Sequence, residues 1–283
     1  MKLKPSNSWL ICSALAIITN CGKNDLPKTY TLGKLRILGI QADQPELNPL
    51  PSGKDVAITL AVSDVTGAGR ALQYQYQTCF DPGIGLGVTP SCANDPTSVK
   101  SAPVNFTLPG PVFTGTLPTF SITVPPIVLA KATDIEKYNG VAYLLLVSVT
   151  SANGETTQGF RRIIATTRTQ LNQNPTLTSL QLDGNPLTSL PAKESIIRPT
   201  LGLNTEETYS LKKADGTLVP KTEQLTVSWF ITEGEMKYSR TSSDSANTYT
   251  PAGSPSNIPH FIYAVIRDDR GGVSFLANPV SQP

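Results

Sequence analysis

Leu72-Gln-Tyr-Gln-Tyr-Gln-Thr78 alternates without a break, which puts Leu72, Tyr74 and Tyr76 on one face and Gln73, Gln75 and Gln77 on the other. A period of two is the signature of a strand with one covered face. The pattern extends in both directions. Upstream, residues 34–43 and 55–63 are strand-like and are separated by the turn-forming run Pro45-Glu-Leu-Asn-Pro-Leu-Pro-Ser-Gly53. Downstream, strands are expected over 104–108 and 120–124, and Val141-Ala-Tyr-Leu-Leu-Leu-Val-Ser-Val149 is apolar enough for a central strand covered on both faces. Ser151-Ala-Asn-Gly-Glu155 then turns the chain into a strand over 156–166, whose Arg161-Arg162 pair is expected to face solvent. A content of 24 Pro and 21 Gly favours strands broken by turns. Helical periodicity is confined to a short stretch, Ile127 to Tyr138.

Gln170-Leu-Asn-Gln-Asn-Pro175 has the composition of a linker, and the strand pattern resumes beyond it. Gln224-Leu-Thr-Val-Ser-Trp-Phe-Ile231 is an apolar strand with Trp229 expected in a core, and Thr248-Tyr-Thr-Pro251 is a short strand opposite it. Residues 261–267 and 273–277 form a closing hairpin through Asp268-Asp-Arg-Gly-Gly272, parallel in layout to residues 143–160. Two copies of one all-β fold account for this. The chain is therefore divided into a first β-sandwich domain over 34–169, a linker over 170–176 and a second β-sandwich domain over 177–283. Leu177 to Leu190 also satisfies a leucine-rich-repeat pattern, but a solenoid needs about three or more copies and the chain holds one, so Leu177–Leu182 is expected as an edge strand turning at Asp183-Gly184. The opening strand, Pro/Gly turn and longer alternating strand resemble the first two strands of bacterial immunoglobulin-like domains. Residues 224–231 look like the immunoglobulin strand that carries a core tryptophan. The resemblance implies two immunoglobulin-like β-sandwich domains in tandem.

At the N-terminus, Lys2 and Lys4 precede the apolar stretch Trp9-Leu-Ile-Cys-Ser-Ala-Leu-Ala-Ile-Ile-Thr19, which is shorter than the roughly 20 residues a membrane-spanning helix needs. Asn20-Cys21-Gly22-Lys23-Asn24-Asp25 is polar and turn-forming, so residues 1–20 are expected to be a cleaved signal peptide. Ile18-Thr19-Asn20-Cys21 resembles the lipobox of bacterial lipoproteins, with Asn20 standing where Gly, Ala or Ser is usual. The resemblance implies that Cys21 is the lipidated first residue of the mature chain, held in a membrane by acyl chains at about 0.8 kcal/mol per buried CH₂. Gly22 resembles the signal for outer-membrane sorting, and residues 21–33 are expected to be a tether. An Ile40-x-Ala-Asp-x-Pro-Glu46 opening, a two-cysteine loop and an Arg267-Asp-x-Arg-Gly-Gly272 close are similar to lipoproteins of predatory and gliding proteobacteria, a likeness that implies no biochemical role. With Cys12 removed and Cys21 acylated, Cys79 and Cys92 remain as a disulfide pair in an oxidising compartment. Alternation puts Cys79 on the glutamine face, so the bridge is expected to staple a surface loop, contributing about 3 kcal/mol in the chain-entropy model. That loop carries Gly83, Gly85 and Gly87, but Thr89-Pro90 stands where a phosphate-binding turn needs a helix N-terminus.

Charge and residue counts narrow the function classes. The chain has 23 Lys and Arg against 21 Asp and Glu, and loss of Lys2 and Lys4 with the signal makes them equal. No basic excess is left for nucleic acid. His260 is the one histidine, no Gly-x-Ser-x-Gly elbow exists, and the ligands for zinc are missing, so no catalytic residue and no cofactor are expected. Glu206-Glu207, Glu233 with Glu235, and Asp268-Asp269 fall in expected turns or strand ends, where charge is normally solvated. Asp268 and Asp269, with Asp183, are weak calcium candidates because sandwich modules bind Ca²⁺ through loop carboxylates. The sequence thus points to a non-enzymatic protein anchored to the outer membrane through its lipid, facing the periplasm or cell surface. Its expected partner is an envelope protein, or a glycan bound through loop tyrosines such as Tyr209, Tyr238 and Tyr249.

Overall fold

The computed structural model describes residues 28–67, 69–83, 88, 90–108, 110, 118–203, 205–253 and 260–280. The signal peptide, Cys21, Gly85 and Gly87 lie outside the described residues. Among those described, no helix is long and apolar enough to cross a membrane.

The chain is all-β, with two sandwiches. The first contains β1 (Arg36–Ala42), β2 (Glu46–Leu47), β3 (Lys54–Ser63), β4 (Ala71–Phe80), β5 (Val99–Lys100), β6 (Val104–Thr107), β7 (Thr119–Val124), two short helices α1 (Ile127–Ala130) and α2 (Asp134–Asn139), β8 (Val141–Ser151) and β9 (Thr156–Ala165). The second contains β10 (Leu177–Leu182), β11 (Asn185–Pro186), β12 (Ser195–Leu201), β13 (Thr208–Lys212), β14 (Leu218–Thr222), β15 (Thr226–Ile231), β16 (Glu235–Met236), β17 (Arg240–Ser242), β18 (Asn247–Thr250), β19 (His260–Arg267) and β20 (Val273–Val280).

The sheet orders show that one topology occurs twice. In the first sandwich β1-β3-β7 faces β2-β9-β8-β4-β5, with β6 also on β4. In the second, β11-β10-β12-β18-β16 faces β17-β15-β19-β20, and β13-β14 is a separate hairpin. Both follow the immunoglobulin-like division in which the first, second and fifth strands form one sheet and the third, sixth and seventh the other. Trp229, on β15, lies on the third strand of its sandwich, fully buried, with its indole N–H donating to Thr241 Oγ1 at 3.0 Å. Tyr143 and Tyr263 occupy the early part of the sixth strand in each copy but face different cores: Tyr143 points into the first sandwich, Tyr263 toward the other sandwich.

Local chemistry explains the breaks between elements. The helical stretch divides in two, and α2 opens with a capping box in which Thr133 and Glu136 satisfy each other's backbone N–H. It stops at Gly140, whose φ of 107° suits glycine and where a side chain would collide with Ile164. The turn at Asp183-Gly184 has positive φ at both residues and pairs Leu182 with Asn185, which makes the hairpin expected there. Leu187 and Leu190 then drop into the second core, so the leucine spacing serves a sandwich.

Three expectations about exposure are corrected. β8 is central, between β4 and β9, but only Tyr143, Leu145, Val147 and Val149 enter the core. On its other face Leu144 is buried under the disulfide loop, while Leu146 and Ser148 line an open groove. The end of the expected tether is not free chain: Tyr30 and Leu32 are buried, and their backbones bond Ile231 at 2.8 and 2.7 Å. The linker is likewise built in, since Asn172 is buried with its N–H on Glu46 and Asn174 bonds both Ala42 O and Val273 N.

A third apolar cluster joins the sandwiches. A bulge in β1 leaves Leu38 outside the ladder and turns it toward Phe230, Tyr263, Val265 and Val273. The close approach requires a small residue next to the bulge, where a side chain on Gly39 would press on Phe275.

Candidate functional site

The strict alternation of β4 has its consequence on the outer face of its sheet. Register places Gln75 beside Ser148 and Ser148 beside Gln158, and in the next row Gln77 beside Leu146 and Leu146 beside Phe160. These two rows across β4, β8 and β9 floor a groove of about 480 Å³, with Lys100, Val88 and Pro90 at its rim. Gln75 Nε2 donates to Ser101 O at 2.8 Å and Gln77 Nε2 to Ser98 Oγ at 3.4 Å. The amides are thereby oriented sideways, and their oxygens remain acceptors. Phe160 is 45% exposed, with the Arg162 guanidinium 5.8 Å from its ring centre. Arg162 is itself paired with Asp81 at 2.5 Å, so little free charge reaches the groove beyond Lys100. Its described lining holds no carboxylate, histidine or cysteine. Such a surface can hydrogen-bond through its amides and hydroxyls and stack through its rings.

The Cys79–Cys92 disulfide ties β4 to the far end of the loop that carries Val88 and Pro90. Cys79 does lie on the glutamine face, but it is buried with Cys92 against Leu144. The bridge closes a small core of its own beneath the loop, which alternation alone did not reveal because the cover comes from residues distant in the pattern.

The other sequence candidates are brought into different company. Asp268 accepts the N–H groups of Arg270 and Gly272 at 2.9 and 2.6 Å and the Asn172 amide at 3.1 Å. Asp269 pairs with Lys221 at 2.5 Å, and Asp183 accepts from Ile196 N at 3.1 Å. The calcium expectation is therefore corrected: these carboxylates are committed to separate protein donors, and the described residues contain no group of three candidate metal ligands. His260 opens β19 with Nδ1 2.9 Å from Glu233 Oε2, both side chains buried. Burial and the Glu233 charge push the nearby Tyr249 up to about 12. Of the loop tyrosines, Tyr209 and Tyr249 are buried and only Tyr238 is open, so a glycan surface built from the three is ruled out.

Of the acids expected in solvent, Glu207 instead joins Glu46 and Glu223 in a network between the sandwiches, while Glu206 and Glu235 are exposed as expected. Arg270 donates through Nη2 to Glu46 and through Nη1 to Glu223 at 3.0 Å and Glu207 at 3.2 Å, and stacks 4.4 Å over the Tyr209 ring. Arg168 Nη1 reaches the other Glu46 oxygen at 3.5 Å. Burial raises the Glu223 carboxyl to about 7, helped by Asp268 and Glu207 and opposed by a backbone N–H and Arg270; Glu207 is raised as well, again chiefly by burial. The spacing of these residues, far apart in sequence, gave no signal of their meeting.

No family model matches this chain, and no curated protein sequence matches it. Among solved structures it is similar to murine CEACAM1b, at 11% identity and a TM-score of 0.25, over 88% of this chain and all of that one. It is also similar to dimeric latent PorU from Porphyromonas gingivalis, at 12% identity and a TM-score of 0.26, over 89% of this chain and 24% of that one. With activated Escherichia coli alpha-2-macroglobulin it shares 11% identity at a TM-score of 0.29, over 89% of this chain and 22% of that one.

Proposed function

We propose that this is a non-catalytic binding module of the bacterial envelope, tethered through lipid on Cys21, that holds a neutral glycan strand on the outer face of β4, β8 and β9. The groove carries the reading: rows of amide, hydroxyl and aromatic groups match a ligand rich in hydroxyls and poor in charge. The lipobox-like sequence supports the anchor, and the residue inventory supports binding without chemistry. The proposed glycan surface is a sheet face of the first sandwich, away from Tyr209, Tyr238 and Tyr249.

The test is retention of the mature, disulfide-bonded protein on peptidoglycan sacculi, chitin and cellulose, with titration of soluble oligosaccharides of each. Phe160→Ala and Gln77→Ala are expected to weaken binding about tenfold each, since each removes on the order of 1–1.5 kcal/mol of contact. Tyr238→Ala is expected to leave it unchanged. Failure of all three polymers to retain the protein, or full binding by Phe160→Ala, rejects the glycan site. Mass spectrometry of the mature N-terminus tests the anchor separately, and an unmodified Cys21 rejects it.

A further inference from the structure

Strand register carries the floor of the groove one strand beyond β4. Gln77 pairs with Lys100 of β5 on one side and with Leu146 of β8 on the other, and Leu146 pairs with Phe160 of β9. Residues paired across a sheet share a face, and neighbouring strands stand about 4.8 Å apart. Lys100, Gln77, Leu146 and Phe160 therefore make one row across four strands, and all four line the groove. The adjoining row, Gln75, Ser148 and Gln158, is polar throughout.

The four groups of the mixed row ask different things of a ligand. The Lys100 ammonium is a donor, exposed and outside the ion pairs of the described residues. Gln77 and Gln75 spend amide N–H groups on Ser98 Oγ and Ser101 O. Their carbonyl oxygens take no donor from the described residues and are not sealed from solvent, so each is an open acceptor. Leu146 is half-buried and offers methyl groups alone, and the Phe160 ring is open. Donor, acceptor, apolar patch and ring face thus follow one another in that order. A sugar bearing hydroxyls alone matches the Gln75 row, but over Leu146 it would lose water from a hydroxyl without gaining a partner, which is unfavourable. An acetamido sugar supplies what the mixed row needs: a carbonyl for Lys100, an N–H for Gln77, a methyl for Leu146 and a pyranose face for Phe160.

The geometry points to a glycan bearing N-acetyl groups, whose acetamido substituent is seated on Lys100, Gln77 and Leu146 and whose sugar ring lies on Phe160; this rests on the glycan reading of the groove given above. The Gln75–Ser148–Gln158 row is left for hydroxyls, and Val88 and Pro90 add apolar surface to the same groove.

Isothermal titration of the mature, disulfide-bonded protein with chitohexaose and cellohexaose tests this, because the two share a backbone linkage and differ in acetamido against hydroxyl. Chitohexaose is expected to bind about tenfold or more tightly than cellohexaose. Lys100→Met and Gln77→Ala are each expected to narrow that preference about fivefold, since each removes one partner of the acetamido group. Lys100→Arg, which keeps a donor, is expected to retain most of it. Equal affinity for the two sugars, or tighter binding of cellohexaose, with binding still weakened in Phe160→Ala, overturns the acetamido seat and leaves the glycan groove standing. A preference that survives in both Lys100→Met and Gln77→Ala overturns the seat as well. Binding of neither sugar overturns the glycan reading and this inference together.

Discussion

Arg270 binds more of the molecule together than any residue the sequence singled out. One guanidinium serves Glu46 from the first sandwich and both Glu207 and Glu223 from the second, with Glu207 and Glu223 sharing Nη1. Two carboxylates on the one Nη1 amino group, in a largely buried site with the Asp268 charge close by, cannot both ionise cheaply, so Glu207 and Glu223 titrate as a coupled pair. Glu223 releases its proton near pH 7 when folded, against an ordinary 4.5, and Glu207 is shifted the same way. The folded chain then holds more protons than the unfolded chain between about pH 4.5 and 7, so stability is highest at the acidic end of that window and falls as pH rises through it. Denaturant midpoints measured from pH 4.5 to 8 are expected to show this decline. Glu207→Gln removes one competing charge and is expected to flatten it; an unchanged slope would place the titration elsewhere. None of this could be read from Glu206-Glu207 or Arg267 to Gly272 in isolation, where the charges look like turn decoration. Burial is a property of what packs over a turn, and that is set by residues more than a hundred positions away.

At the level of elements, legibility followed local period and turn chemistry. β4, β10 and the β19–β20 hairpin were readable because alternation, Asp183-Gly184 and Gly271-Gly272 act within a few residues. β12, β13 and β14 were not: Pro199 interrupts β12 and Pro220 interrupts β14, and pairing, not the strands' own patterns, holds all three. β8 was legible as central but not as the floor of a groove, since an apolar run does not say which neighbours stop short. The groove's floor was present in the glutamine face of β4, while its other rows needed register to assemble. The disulfide loop is the element on which the groove wall depends. Replacing Cys79 and Cys92 together by Ala is expected to cost about 2–4 kcal/mol, measured as a drop in the denaturant midpoint. The same variant should weaken glycan retention, because Val88 and Pro90 are carried by that loop. A loss below about 0.5 kcal/mol would mean the loop's own packing on Leu144 holds it without the bond.

For the whole molecule, the junction decides whether two sandwiches behave as two domains. Tandem modules joined by a linker of polar composition ordinarily move independently unless a large apolar interface holds them. Here the expected linker is threaded into the junction through Asn172 and Asn174, and the bulge residue Leu38 enters the apolar cluster between the sandwiches at 3% exposure. The segment ahead of β1 is pinned beside Ile231, so a pull applied from the N-terminal side is delivered to the second sandwich and not to the first strand alone. Apolar contact, buried ion pairs and chain threading all cross the same boundary, which makes separate unfolding of one half costly. Scanning calorimetry on the wild type is therefore expected to give one transition whose calorimetric and van't Hoff enthalpies agree. Leu38→Asp places a charge in the middle of the apolar junction without touching either sandwich core. It is expected to split that transition in two, with the less stable sandwich melting first. Two transitions in the wild type, or one in Leu38→Asp at an unchanged melting temperature, would show that the sandwiches are energetically separate and that the buried network orients them without coupling their folding.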